Sequence, residues 1–276
     1  MSLRQHEIAE AGHRILNPLF EDGLRLIGEA AEVGRATRVL DLCSGKGEML
    51  CRWAEWFGAS GTGVDLSEVF VADARTRAAE LRVDDRVEFV HDEAAAYARK
   101  AAAELPAAFD VVCCLGATWI GGGLAGTIEL MLPAVRPGGA IVVGEPFLNE
   151  PLPAEGFAAL GFGPDNYVSL AATVDRLDAA GLEVVEMVAA DARSWERYEA
   201  GQWNAVAGWL DAHPDDPDQV AMRGFLGENR RNYVTWGRRY LGWAAFVTRP
   251  RPEAAERAGD PVRRAATTPA APIEQN

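Results

Sequence analysis

The residues best suited to chemistry stand in one run, Val39-Leu40-Asp41-Leu42-Cys43-Ser44-Gly45-Lys46-Gly47-Glu48-Met49. It passes from an apolar, β-branched segment ending in a carboxylate, through a glycine-bearing turn, into helical spacing. Gly45 and Gly47 permit a tight turn and a close approach of backbone to ligand that a Cβ would block. Asp65 closes the next apolar segment about 20 residues beyond Gly45, the separation at which a carboxylate at the end of a second strand accepts hydrogen bonds from ribose hydroxyls. Asp41 would repel a phosphate and attract the ammonium of an amino-acid group. A nicotinamide dinucleotide site normally has a third glycine opening the helix and no acid in its first strand, so this arrangement argues against one.

These residues need a scaffold that brings strand ends together. Five apolar segments, Arg38–Leu42, Gly61–Asp65, Arg86–His91, Asp110–Leu115 and Ala140–Gly144, alternate with helix-like stretches, the pattern of βαβ units and a parallel sheet. Leu50, Trp53, Ala54 and Phe57 share one helix face. Pro137-Gly138-Gly139 is expected to break the helix before the fifth strand. Residues 146–168 read as a loop, Leu170–Ala180 as a helix stopped by Gly181, and Leu182–Ala189 and Trp243–Thr248 as two further strands. Between those strands, about 193–240, Trp195, Tyr198, Trp203, Trp209, Tyr233, Trp236 and Tyr240 lie among charges, which predicts an aromatic-rich helical cap. One domain over 1–249 is expected, followed by a disordered tail over 250–276 rich in Pro, Ala, Arg and Glu.

Outside the first run, the candidates for chemistry fall at the expected strand ends. His91-Asp92-Glu93-Ala94 leaves the third strand with two adjacent acids; either binds a ligand, or both are ordinary helix N-terminal acids. Leu115 ends the fourth strand, and Trp119 just beyond it either plugs the core or meets a ligand where open α/β sheets collect them. Glu145, before Pro146 at the end of the fifth strand, is placed to act as a general base or to anchor an amine. His13 is either a surface residue or a polar contact from a first helix that covers the site.

The first run resembles the (D/E)xGxGxG motif of class I methyltransferases dependent on S-adenosylmethionine (SAM), and the resemblance extends over roughly 37–144. The whole chain looks most like the YjhP-like group of bacterial methyltransferases, on His13-Arg14-Ile15 with Asn17-Pro18, Gly47-Glu48-Met49-Leu50-Cys51, Gly116-Ala117-Thr118-Trp119-Ile120, Gly144-Glu145-Pro146 and Trp195-Glu196-Arg197-Tyr198-Glu199. One departure is Cys43, which stands where the family has its first glycine. The resemblance implies a Rossmann-like sheet with helices on both faces and SAM as cofactor. It implies that Asp41, Cys43, Gly45 and Gly47 face the methionine part, Asp65 the ribose, Leu66 the adenine ring, and Asp92 or Glu93 the adenine amino group. Leu115 would then lie beside the sulfonium, with Trp119, Trp195 and Tyr198 around the acceptor and His13 or Glu145 as its base. The expected activity is methyl transfer to N, O or another nucleophilic atom of a small metabolite. The same fold also permits SAM cyclisation or aminocarboxypropyl transfer.

Composition narrows the remaining classes. A net charge of −14 without a basic stripe disfavours nucleic acid. No apolar run has the length of a signal peptide or a membrane span, so a soluble, cytoplasmic monomer or homodimer is expected. The four histidines are scattered, and Cys43, Cys51, Cys113 and Cys114 form no ligand spacing. No metal is expected, and the cysteines read as reduced core thiols.

Overall fold

A computed structural model describes residues 2–252. Its strands are β1 (Arg38–Leu42), β2 (Ser60–Asp65), β3 (Val87–His91), β4 (Phe109–Leu115), β5 (Val135–Leu148), β6 (Leu182–Ala189) and β7 (Leu241–Pro250). The helices are α1 (Leu3–Ala9), α2 (Glu21–Ala30), α3 (Glu48–Phe57), α4 (Glu68–Leu81), α5 (Ala94–Glu104), α6 (Leu124–Met131), α7 (Ala154–Leu160), α8 (Leu170–Ala179), α9 (Ala192–Ala212) and α10 (Gln219–Asn232). The strands form one sheet in the order β3-β2-β1-β4-β5-β7-β6. Neighbours from β3 through β5 run parallel, while β7 pairs antiparallel with both β5 and β6. The expected Rossmann-like α/β sheet is therefore present.

Two apolar layers sandwich it. Leu24 and Ile27 of α2, Leu50 and Trp53 of α3, and Val71 and Ala74 of α4 cover one face with Val39, Val111 and Val142. Ala98 of α5, Ile128 and Met131 of α6, and Leu177 of α8 cover the other with Leu40, Val112 and Ile141. Strand alternation divides β1 and β4 between the two faces, as expected of buried parallel strands. A third cluster, Ile8 and Ala9 of α1 with Val206, Leu210 and Met222, docks the first helix onto α9 and α10. The stretch between β6 and β7 is helical, as its composition suggests, and closes through a π-helical turn at Tyr233–Gly237.

Three local expectations change. Pro137-Gly138-Gly139 does not end a helix: α6 stops at Met131, and the tripeptide bulges inside β5, where the register shifts between Phe109↔Val135 and Val111↔Ala140. The 146–168 loop contains α7, entered from Pro153 and stopped by Gly161 in the left-handed region (φ 75). The strand after Tyr240 reaches Pro250, held on both sides by antiparallel partners, and Arg251 N–H still donates to Gly181 O at 2.9 Å. The rest of the expected disordered tail, from 253, lies outside the described residues. Among the described residues no helix is long and apolar enough to cross a membrane, and no cluster of His, Cys, Asp and Glu could hold a metal ion.

Candidate active site

The turn from β1 into α3 is built by left-handed residues. Cys43 (φ 59), Gly45 (φ 53) and Gly47 (φ 70) all lie there. A Cβ on Gly47 would fall 2.5 Å from the Phe89 ring and 2.8 Å from Ala74 Cβ, so crowding as well as dihedral requires glycine there, while at Gly45 the left-handed dihedral does. Cys43 pays the left-handed strain as a small non-glycine residue. Its thiol, held against Cys114 and partly buried, sits well above the ordinary range. All four cysteines are free thiols.

The turn is tied to β2. Ser44 N–H donates to Val64 O (2.9 Å) and Gly45 N–H to Asp65 Oδ2 (2.8 Å), while Asp65 Oδ1 accepts from Ser67 N–H (2.9 Å). Burial raises the Asp65 carboxyl in spite of these backbone donors. Asp41 is 3 % exposed, and burial with the nearby charge of Asp65 pushes it up to about 8. A buried carboxylate without a counter-charge is costly; an α-ammonium group at this turn would remove that cost. The close-packed glycine turn and this carboxylate fit the amino-acid end of SAM.

The other expected contacts spread along the same sheet edge. Leu66 is exposed just beyond β2 and Trp119 beyond β4, both apolar surfaces open to a ligand. Glu93 is committed as the α5 N-cap, accepting from Ala95 N–H (3.1 Å) and Ala96 N–H (2.8 Å). Asp92 accepts only from the adjacent Glu93 N–H (2.8 Å). Leu115 ends β4 opposite Gly144, and Gly116 (φ 79) would bring a Cβ within 2.5 Å of Asn17 Oδ1.

Glu145 shares the sheet face of Ile141 and Val143, opposite that of Asp41. It accepts from Thr118 Oγ1 at 2.5 Å, beside Trp119. Burial pushes it up to about 7, against the Thr118 hydrogen bond and the charge of Arg176. His13 is elsewhere: its Nδ1 meets Glu10 Oε2 at 2.8 Å, its ring lies 5.0 Å from that of Tyr198, and its Nε2, without a partner, packs on Gly201. Glu10 Oε1 also accepts from Tyr198 Oη and Gln202 Nε2, both at 2.7 Å. Burial would raise the Glu10 carboxyl, but His13 and Tyr198 outweigh it and hold it below the usual range. Trp195 packs against the sheet core on the α2–α4 face.

Sequence reasoning missed how α1 is fastened over the turn. Lys46, 5 % exposed, donates to the carbonyls of Glu10 (3.0 Å) and Ala11 (3.1 Å) at the end of α1, and Ser67 Oγ donates to Glu7 Oε1 at 2.5 Å. The signal available was a lysine between the two motif glycines, a position that must point away from the ligand-facing backbone. By contrast, the cleft of about 300 Å³ lined by Arg38, Gly61, Asp85 and Arg86 opens at the opposite, N-terminal edge of the strands.

Residues 39–139 match a family model described as a methyltransferase domain. The chain is 42% identical over 243 residues to the uncharacterised protein YjhP of Escherichia coli (strain K12), covering 87% of this chain and 95% of that one. A SAM-dependent methyltransferase from Geobacter sulfurreducens, crystallised with S-adenosyl-L-homocysteine, superposes with a TM-score of 0.85 at 41% identity over 91% of this chain and 99% of that one. Its counterpart from Thiobacillus denitrificans, with the same bound molecule, gives 0.84 at 40% identity over 91% and 99%. Similarity of this extent spans both the glycine turn and the helices between β6 and β7, and the chain therefore belongs to the SAM-dependent methyltransferases, in the group that contains YjhP.

Proposed function

We propose that this methyltransferase acts on a nucleophilic N or O atom of a small metabolite bound between the C-terminal edge of β4 and β5 and the helices α9 and α10. The observation that carries the reading is the exposed Trp119 beside a buried Glu145 and Thr118, at the sheet edge next to the cofactor turn. When bound, SAM supplies an electrophilic methyl group on a sulfonium sulfur. The protein's task is then alignment of the acceptor and removal of its proton where it carries one.

In this reading Asp41 holds the α-ammonium group, Asp65 the ribose hydroxyls, Leu66 one face of adenine, and Asp92 the adenine amino group, since Glu93 is occupied as a cap. Glu145 accepts the acceptor's proton, its carboxyl already drawn to about 7 by burial. His13 fastens α1 to α9 through Glu10. The net charge of −14 favours a small acceptor over nucleic acid.

The test is an untargeted screen of metabolite extracts with methyl-labelled SAM, read by mass spectrometry. The expected product carries the labelled methyl group, with S-adenosylhomocysteine formed in equal amount. A product carrying an aminocarboxypropyl group, or a product with no mass gained from SAM, would overturn methyl transfer.

A further inference from the structure

Glu199 stands apart from the residues assigned above. It lies on α9 at i+4 from Trp195 and i−4 from Trp203, so the three side chains share one helix face. Its Oε2 and the Trp195 Nε1 beside it are buried and meet no partner at full hydrogen-bond geometry, although Asn229 and Trp195 still ease the Glu199 charge as donors. From α10, Asn229 faces the same carboxylate and accepts from Trp203 Nε1 at 2.5 Å. Tyr233, in the π-helical turn, meets Trp203 edge to face at 5.9 Å and lies within the field of Glu199. Single π-helical turns within a helix recur at functional sites.

The charges here do not balance. Glu10 and Glu199 are two largely buried carboxylates, and among the described residues the ion pairs of Glu10 and Glu199 with any cation are limited to that of Glu10 with His13. Glu196 is matched on the outside by Arg238 (2.8 Å), and one face of Trp203 carries Arg230. Burial pushes Glu199 up to about 7, with Glu10 adding to the effect and Asn229, Trp195 and His13 opposing it.

Resting on the methyltransferase reading, we infer that Glu199, with Trp195, Trp203 and Tyr233, forms a subsite for a small organic ammonium group of the methyl acceptor. A carboxylate supplies the counter-charge that such a group needs on leaving water. Aromatic faces attract it without competing hydrogen bonds, as in other sites for alkylated ammonium ions. A neutral or anionic acceptor would bring Glu199 no counter-charge.

The experiment titrates the full chain calorimetrically with choline and with the neutral analogue in which carbon replaces its quaternary nitrogen, with and without S-adenosylhomocysteine. Choline should bind about tenfold more tightly than the analogue, and Glu199→Gln should abolish that preference while leaving S-adenosylhomocysteine affinity unchanged. Equal binding of the two probes, binding of neither, or an unchanged preference in Glu199→Gln overturns the subsite. The comparison of probes in the unsubstituted protein decides the matter even where the variant fails to fold. Failure of S-adenosylhomocysteine to bind would count against the cofactor reading and is read separately from the probe preference.

Discussion

Gly45 N–H donates to Asp65 Oδ2 at 2.8 Å, so the carboxylate at the end of β2 also holds the turn that follows β1. Asp65 shapes the glycine turn, and in the proposed reading it also accepts the ribose hydroxyls. Asp65→Ala is expected to weaken S-adenosylhomocysteine binding by about 1.5–3 kcal/mol, the range for hydrogen bonds to a charged group. Calorimetry on the folded variant checks it, and unchanged affinity would place the ribose elsewhere.

Cys43 occupies the left-handed region with φ 59, where a glycine is at ease and a β-branched residue is not. Cys43→Gly should keep S-adenosylhomocysteine affinity, whereas Cys43→Val should lose it and lower the melting temperature. The cost expected for the valine is about 1–2 kcal/mol or more. Equal binding by both variants would mean that the turn tolerates another backbone path.

The sheet and the cofactor turn were legible because each rests on local signals: β-branched runs, paired glycines and strand-end acids. Residues Arg38–Leu42 and Leu182–Ala189 match their strands at both ends. What stayed hidden depends on partners distant in sequence. Pro137-Gly138-Gly139 reads as a helix stop, yet Phe109 and Val111 of β4 pair with Val135 and Ala140 on either side of it and carry the strand through. Asp92 and Glu93 are equivalent on paper and separate only when the helix takes Glu93 as its cap. Glu10 carries no motif; its importance appears when Tyr198 and Gln202 converge on it from 188 and 192 residues away.

Glu145 supplies a pH dependence with a definite sign. Its carboxyl rises on folding from 4.5 to about 7, so the folded state binds the extra proton between those values. The associated stability is complete below the unfolded value and is lost as pH rises through about 7, on the order of 3 kcal/mol. The melting temperature should therefore fall more steeply between about pH 5 and 8 in the unsubstituted protein than in Glu145→Gln. Parallel curves would show that the buried carboxyl does not hold its proton. In single turnover, the same variant should slow methyl transfer without changing cofactor affinity.

Tyr198 and Trp195 stand three residues apart on α9 and face different neighbours, the Glu10 carboxylate and the sheet core. If α9 closes over the acceptor, conservative changes there should affect turnover more than cofactor binding, because the cofactor contacts proposed above lie at the ends of the first three strands. Tyr198→Phe removes one donor to buried Glu10 and should cost about 1.5–3 kcal/mol of stability, loosening α1 over the turn. Trp195→Phe removes an indole N–H that meets Glu199 short of full hydrogen-bond geometry, so its cost in stability should be smaller. Its effect on turnover should nevertheless be the larger, since it alters the wall of the acceptor site and leaves the Glu10 fastening intact. The measurements are melting temperature, S-adenosylhomocysteine affinity and single-turnover rate for both variants, with the acceptor found by the labelled-methyl screen. A structural role predicts that activity and melting temperature fall together in each variant; an acceptor wall predicts that Trp195→Phe lowers the rate at nearly unchanged melting temperature. Loss of rate only in proportion to stability would make α9 a packing element and move the acceptor toward Trp119 alone.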